Sequence, residues 1–127
     1  MGIDKNIHIL IVEDDDINRK LLANILNTIG FTNVLQAENG QLGWEFIQKE
    51  KIDLVMTDWM MPELDGLELL KRIRLSDTPL KTLPVIMITA LGKQDDIMKA
   101  AEWDVNGYVV KPFSVNTVLS KIEEILG

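Results

Sequence analysis

Cysteine is missing from the 127 residues, and that alone excludes disulfide scaffolds, thiol nucleophiles and zinc–thiolate centres. Such a composition fits a reducing compartment. There is one histidine, His8. It lies in an apolar run and reads as a strand residue, and neither a catalytic triad nor a pair of imidazole ligands can be built from it. Cations are the minority: 13 Lys and Arg against 20 Asp and Glu leave a formal charge of −7. Phosphate backbones and anionic lipids are held by clustered cations, so neither nucleic acid nor an anionic membrane is an expected partner. Long apolar runs are absent too. The longest clean ones, at 9–12 and 85–88, fall far short of the roughly 20 residues that cross a bilayer. Acidic Asp4 precedes the first of them, so residues 1–8 do not read as a signal peptide, and Asn6 spoils a myristoylation motif. A soluble cytoplasmic protein is expected, with residues 1–127 forming one domain.

What the sequence does contain is alternation. Short β-branched runs at 7–12, 33–37, 52–57, 85–89 and 107–110 alternate with longer segments of helical period. That is the signature of βαβ units around a parallel sheet covered on both sides. The expected fold class is α/β, a doubly wound five-stranded parallel sheet of (βα)5 order. In the first helix Ile17, Leu21, Leu22, Ile25, Leu26 and Ile29 follow the 3.6-residue period, with Asp15 or Asp16 as cap and Gly30 as stop. A second helix over about 40–49 points Leu42, Phe46 and Ile47 inward, although Gly43 inside it costs roughly 0.5–1 kcal/mol against alanine. A third runs over about 67–74 after a turn at 62–66, and a fourth over about 93–103 offers Ile97, Ala100 and Ala101. The last, over 115–126, places Val118, Leu119, Ile122, Ile125 and Leu126 on one side and Lys121, Glu123 and Glu124 in water.

In doubly wound sheets ligands bind at the carboxyl ends of the strands, near the point where strand order reverses. What closes each strand here is polar: Glu13 and Asp14 after the first, Thr57 and Asp58 at the third, Thr89 at the fourth and Lys111 after the fifth. Parallel strands would bring these side chains to one edge. Three carboxylates and one ammonium keep about two negative charges, a costly arrangement unless a cation joins them. A hard divalent ion answers that need; Mg2+ takes oxygen ligands, one or two carboxylates and phosphate oxygens, and Mn2+ would also suit. Each residue has a plainer use when taken alone. Asp14, Asp15 and Asp16 would cap a helix, Asp58 a turn, Thr89 would be an ordinary strand threonine and Lys111 a loop lysine. Capping needs do not explain why each one ends a separate apolar strand.

Four segments carry a family resemblance in order and register: Ile9-Leu10-Ile11-Val12-Glu13-Asp14, Thr57-Asp58-Trp59-Met60-Met61-Pro62 leading to Asp65-Gly66, Met87-Ile88-Thr89-Ala90, and Gly107-Tyr108-Val109-Val110-Lys111-Pro112-Phe113. The chain resembles, nearly end to end, the receiver domain of two-component response regulators, and within it the single-domain, CheY-like chemotaxis type. The resemblance implies that Asp58 is the phosphoacceptor and that Asp14 binds Mg2+ directly. Glu13 would act through water, and Asp58 and the backbone carbonyl of Met60 would complete the protein ligands. Thr89 and Lys111 would hold phosphoryl oxygens, Tyr108 would be the aromatic that changes position on activation, and the Lys111–Pro112 bond would be cis. It implies transfer from a phosphohistidine on a sensor histidine kinase or phosphotransfer protein to Asp58. A two-state face formed by the fourth helix, fifth strand and fifth helix would then switch. The chain would act as a monomer and would catalyse its own phosphorylation and dephosphorylation without being an enzyme in the ordinary sense.

Two departures from the family pattern matter. Met60 and Leu91 stand two positions after Asp58 and Thr89, where polar side chains often influence attack by water, so slow self-dephosphorylation is expected. Trp103-Asp104 replaces a small-residue and glycine pattern at the end of the fourth helix. Trp59, beside Asp58, is expected to report Mg2+ or phosphate binding by fluorescence.

Competing readings are weaker. A Mg2+-dependent phosphohydrolase could use Asp14 and Asp16 as a D-x-D pair, but the chain has no room for the usual cap domain and Asn18 stands where Thr or Val is expected. A flavin phosphate would meet carboxylates after the first strand, where flavodoxins, which share the topology, have a Ser/Thr/Gly cradle. A calcium loop starting at Asp14 fails because Arg19 takes its glycine position and Ile25 its bidentate glutamate. A constitutive binding module would not need all the matched positions. No effector domain is expected after Leu126, so output is expected through a bound partner: a flagellar motor switch protein, or a downstream phosphotransfer protein if the chain is a phosphorelay intermediate.

Overall fold

A computed structural model describes residues 3–90 and 94–127. Five strands alternate with five helices: β1 (His8–Val12), α1 (Asp16–Ile29), β2 (Asn33–Ala37), α2 (Gly40–Lys49), β3 (Leu54–Asp58), α3 (Gly66–Arg74), β4 (Val85–Thr89), α4 (Gln94–Glu102), β5 (Gly107–Val110) and α5 (Val115–Leu126). A short 3-10 turn, Pro79–Thr82, stands before β4. All strand pairs are parallel and the order is β2-β1-β3-β4-β5. The α/β doubly wound sheet is therefore the observed fold, with the reversal of strand order between β1 and β3.

Both faces of the sheet are covered, which is why the central strands carry apolar residues at successive positions rather than alternating ones. On one face Leu10, Val12, Val55, Val85 and Met87 pack against Ile47 of α2, Leu69, Leu70 and Ile73 of α3 and Ala100 of α4. On the other, Ile9, Ile11, Leu54, Met56, Ile86 and Ile88 pack against Leu22, Ile25 and Leu26 of α1 and Val118 and Ile122 of α5. Gly43 is explained by packing: a Cβ there would lie 2.8 Å from Val12 Cγ2, so α2 lies close on β1 only because this position has no side chain.

Several expectations need correction. Ile17 and Leu21 do not face the core: they are 77% and 46% exposed. They stand at the edge of a narrower buried stripe, Leu22, Ala23, Ile25 and Leu26. The third strand starts at Leu54, not 52, because the Asp53 carboxylate accepts the His8 N–H (2.8 Å) ahead of the regular ladder. It ends on Asp58, one residue later than expected. The first strand starts at His8. The fourth helix was expected from 93; Lys93 lies outside the described residues.

At the amino ends of β4 and β5, one side chain joins several segments. The Arg74 guanidinium donates to the carbonyls of Trp103 (3.1 Å), Lys81 (3.1 Å), Leu83 (2.7 Å) and Asp104 (2.8 Å) and to Asn106 Oδ1 (3.0 Å). Asn106 Oδ1 in turn accepts the Val85 N–H at the start of β4 (2.8 Å). Asp104 takes a left-handed φ of 56°, the conformation a glycine would adopt most easily. Trp103 is half-buried, with Lys71 Nζ 5.5 Å from its ring centre.

Candidate functional site

The carboxyl ends of β1, β3, β4 and β5 form one rim. Glu13 follows β1 directly; its N–H donates to Ala37 O (3.0 Å) and its side chain is almost fully buried. Asp58 is the last residue of β3 and is also buried. Behind it, the Trp59 N–H donates to Ile88 O (3.0 Å) and the Trp59 carbonyl accepts from Gly66 N–H (2.9 Å). A Cβ on Gly66 would lie 2.3 Å from the Asp58 carbonyl. Glycine at the start of α3 therefore lets that helix close behind the acid. Lys111 is set by its own N–H, which donates to Thr89 O (2.7 Å). The Lys111–Pro112 peptide is cis, as the resemblance implied.

Carboxylate oxygens of Glu13, Asp14 and Asp58 lie within 4.8 Å of one another. Glu13 and Asp58 are enclosed and Asp14 faces solvent. Lys111 Nζ stands between the two enclosed acids, 3.0 Å from Glu13 Oε1 and 3.2 Å from Asp58 Oδ1. Thr89, half-buried, ends β4 on the same rim, and Tyr108 lies half-buried in β5 against the α4 side of the core. Met60 points its side chain into water, 73% exposed, just past Asp58. Leu91 lies outside the described residues.

The charges are strained in the direction that favours a cation. Burial pushes the Glu13 carboxyl above its ordinary value and the neighbouring Asp58 adds to this, although Lys111 and the Asp15 N–H pull it down. Asp14 is also raised, first by desolvation and then by Glu13. Burial lowers Lys111, but its hydrogen bond to Glu13 and the charges of Asp58 and Glu13 outweigh this, so the ammonium is held above its usual range. Three hard oxygen donors with a residual charge of about −2, one of them open to water, fit Mg2+ or Mn2+ by donor chemistry and charge.

Of two neighbours of the cluster, Asp15 is the cap that the sequence suggested, and only the role of Arg19 escaped the sequence reading. Asp15 caps α1 by accepting from Asn18 N–H (2.8 Å), and its own N–H donates to Glu13 Oε2 (3.2 Å). Arg19 donates from Nη1 to the Glu13 carbonyl (2.9 Å) and pairs through Nη2 with Asp16. Asp16 thus stands apart from the acidic group, engaged by Arg19. A cation in the first turn of a helix, where the macrodipole opposes it, was the available signal.

A family model described as the response regulator receiver domain matches residues 9–123. The chain is 44% identical over 123 residues to chemotaxis protein CheY-3 of Vibrio cholerae serotype O1, covering 97% of this chain and 94% of the relative. It is 44% identical over 117 residues to chemotaxis protein CheY of Pseudomonas aeruginosa, covering 92% and 94%. Among solved structures, chemotaxis protein CheY4 of Vibrio cholerae superposes with a TM-score of 0.89 at 26% identity, over 95% of this chain and 99% of that one.

Proposed function

The chain belongs to the response regulator receiver domain family, and from that premise we propose that residues 1–127 act as one receiver domain of two-component chemotaxis signalling with Asp58 as its phosphoacceptor. Receiver domains bind Mg2+ at an acidic cluster, which here is Glu13, Asp14 and Asp58. Asp14, Asp58 and the Met60 carbonyl would hold the ion directly and Glu13 through water. Bound there, Mg2+ offsets charge on the equatorial oxygens of the transferring group; Mn2+ would serve as well.

An Asp58 carboxylate oxygen attacks the phosphorus of a phosphohistidine in line. The P–O bond forms as the P–N bond breaks, and the leaving imidazole takes up a proton. Lys111, already 3.2 Å from Asp58 Oδ1, moves its ammonium to a phosphoryl oxygen. The phosphoryl group carries about −1.5 to −2 charges where the carboxylate carried one, and it offers strong acceptors. The Thr89 hydroxyl is drawn inward to donate to it, and Tyr108 moves into the vacated space. That biases the face formed by α4, β5 and α5.

A histidine kinase and a downstream target are the partners that receiver domains and CheY relatives imply. We assign the donor to a sensor histidine kinase or phosphotransfer protein and the target to a flagellar motor switch protein. The 44% identity to two chemotaxis proteins favours this over a phosphorelay intermediate. The protein would work as a cytoplasmic monomer without nucleic acid; no helix among the described residues is long and apolar enough to cross a membrane.

The observation that carries this reading is the meeting of the three carboxylates within 4.8 Å with Lys111 Nζ between two of them. Incubation with acetyl phosphate and Mg2+, followed by intact mass, should add one phosphate to the wild type and none to Asp58→Ala or to a sample without divalent ion. Turnover of a generic phosphate ester, lost in Asp14→Asn but kept in Asp58→Asn, would favour the hydrolase instead.

A further inference from the structure

Residues 13–16 are four consecutive acids, Glu13-Asp14-Asp15-Asp16, yet they do not act as one charged patch. Glu13 is buried against Lys111, Asp14 joins the cluster, Asp15 caps α1, and Asp16 is 70% exposed and paired with Arg19. Arg19 enforces this division. Its side chain is only 12% exposed, although a cation in the first turn of α1 opposes the helix dipole. A guanidinium so placed is tolerable only because it is paired. One arm, Nη1, holds the Glu13 carbonyl at 2.9 Å, and the other, Nη2, holds the Asp16 carboxylate.

The Glu13 carbonyl belongs to the peptide that joins Glu13 to Asp14. Holding that oxygen restrains the peptide plane, and with it the position of the Asp14 Cα from which the side chain leaves the backbone. Holding Asp16 aside also keeps a fourth carboxylate from competing for the cation. Resting on the Mg2+ site described above, we propose that Arg19 is a positioning residue for it: the fork of its guanidinium aims Asp14 at the ion and keeps Asp16 away. A planar fork bonding to two groups at once is something a lysine ammonium does not reproduce.

The sign of the effect separates this role from a purely electrostatic one. Arg19 is a positive charge near a cation site, so by Coulomb's law alone its removal would tighten Mg2+ binding. Loss of positioning would weaken it, and groups that orient metal ligands typically change affinity by about 10- to 100-fold when removed.

Calorimetric titration of Mg2+ into the phosphate-free protein, at fixed pH and ionic strength, tests this with Arg19→Met, Arg19→Lys and Asp14→Asn. The expected result is a Kd raised about tenfold or more in Arg19→Met and not restored in Arg19→Lys. An unchanged or lower Kd in Arg19→Met, or wild-type affinity in Arg19→Lys, overturns the inference; so does a fall in melting temperature with no change in Kd. If Arg19→Met does not fold, Arg19→Lys, which keeps the charge and the aliphatic stem, decides by itself. Wild-type binding that persists in Asp14→Asn would place the ion elsewhere, and the proposed site and this inference would fall together. Binding lost in Asp14→Asn but indifferent to Arg19 would overturn the inference alone.

Discussion

Replacing Lys111 by methionine keeps the length of the side chain and removes the ammonium that stands 3.0 Å from Glu13 and 3.2 Å from Asp58. Breaking a buried ion pair by deleting one partner costs about 3–5 kcal/mol. Here the lysine side chain is 22% exposed and Asp14 faces water, so screening reduces the loss to about 2–3 kcal/mol. Protonation sets a ceiling. Glu13 can escape the repulsion by taking a proton, and from its ordinary 4.5 up to pH 7 that costs at most about 3.4 kcal/mol, at about 1.4 kcal/mol per unit. With an unfolding entropy of about 2.1 cal/mol/K per residue, 127 residues lose about 4 °C of Tm per kcal/mol, so the variant should melt about 8–12 °C lower without divalent ions.

The deficit should depend on pH. Glu13 already binds its proton more tightly in the folded than in the unfolded protein, and loss of Lys111 strengthens that. A raised acid gives a stability contribution that falls as pH rises above its unfolded value, here 4.5. The difference between variant and wild type should therefore be small near pH 4.5 and full at neutrality. Mg2+ should raise the Tm of the variant more than that of the wild type, because the ion meets the same carboxylates without a competing ammonium. Equal melting of the two proteins without Mg2+, or a larger Mg2+ effect on the wild type, would refute the reasoning.

Arg74→Met removes the donor to the part-buried carbonyls of Trp103 and Leu83. At about 1–2 kcal/mol for each orphaned acceptor, denaturant melts should show a loss of about 2–4 kcal/mol; a loss below about 1 kcal/mol would show that water replaces the guanidinium. Gly43→Ala gains about 0.5–1 kcal/mol of helix propensity but sets a methyl 2.8 Å from Val12 Cγ2. Overpacking at about 1–3 kcal/mol outweighs the gain, so the variant should be less stable, and a more stable one would contradict the packing account. Met60→Asn and Leu91→Glu each supply a polar group able to orient a hydrolytic water, so decay of radiolabelled phosphoprotein should quicken; unchanged lifetimes would refute it.

Strands were legible as short apolar runs between helical segments: β2, β4 and β5 fall at the expected residues, as do α2 and α5, although of these three strands only β4 is buried on both faces and the edge strands β2 and β5 bury one residue each, Ala37 and Val109. The rim was legible for a topological reason. Parallel strands share a carboxyl end, so Glu13, Asp58, Thr89 and Lys111, each at the close of a different apolar run, had to gather at one edge. What sequence could not show depends on how the chain curls between elements. The exposure of Ile17 and Leu21 follows from the narrow stripe by which α1 meets the sheet. The 3-10 turn at Pro79–Thr82 is set by the Thr78 side chain accepting from Leu80 N–H. Arg19 left one signal, a cation in the first turn of α1, but which backbone carbonyls it and Arg74 hold cannot be read from residue identity.

The central claim is that one oxygen-rich rim delivers a phosphoryl group to one carboxylate. Its most direct measurement starts from a phosphohistidine-loaded donor protein mixed with this chain and Mg2+, followed by borohydride reduction and peptide mass spectrometry. An acyl phosphate on Asp58 is reduced to homoserine, so the account predicts homoserine at position 58 and nowhere else. Homoserine at Asp14 or Asp16, or phosphoryl transfer retained in Asp58→Asn, would contradict it.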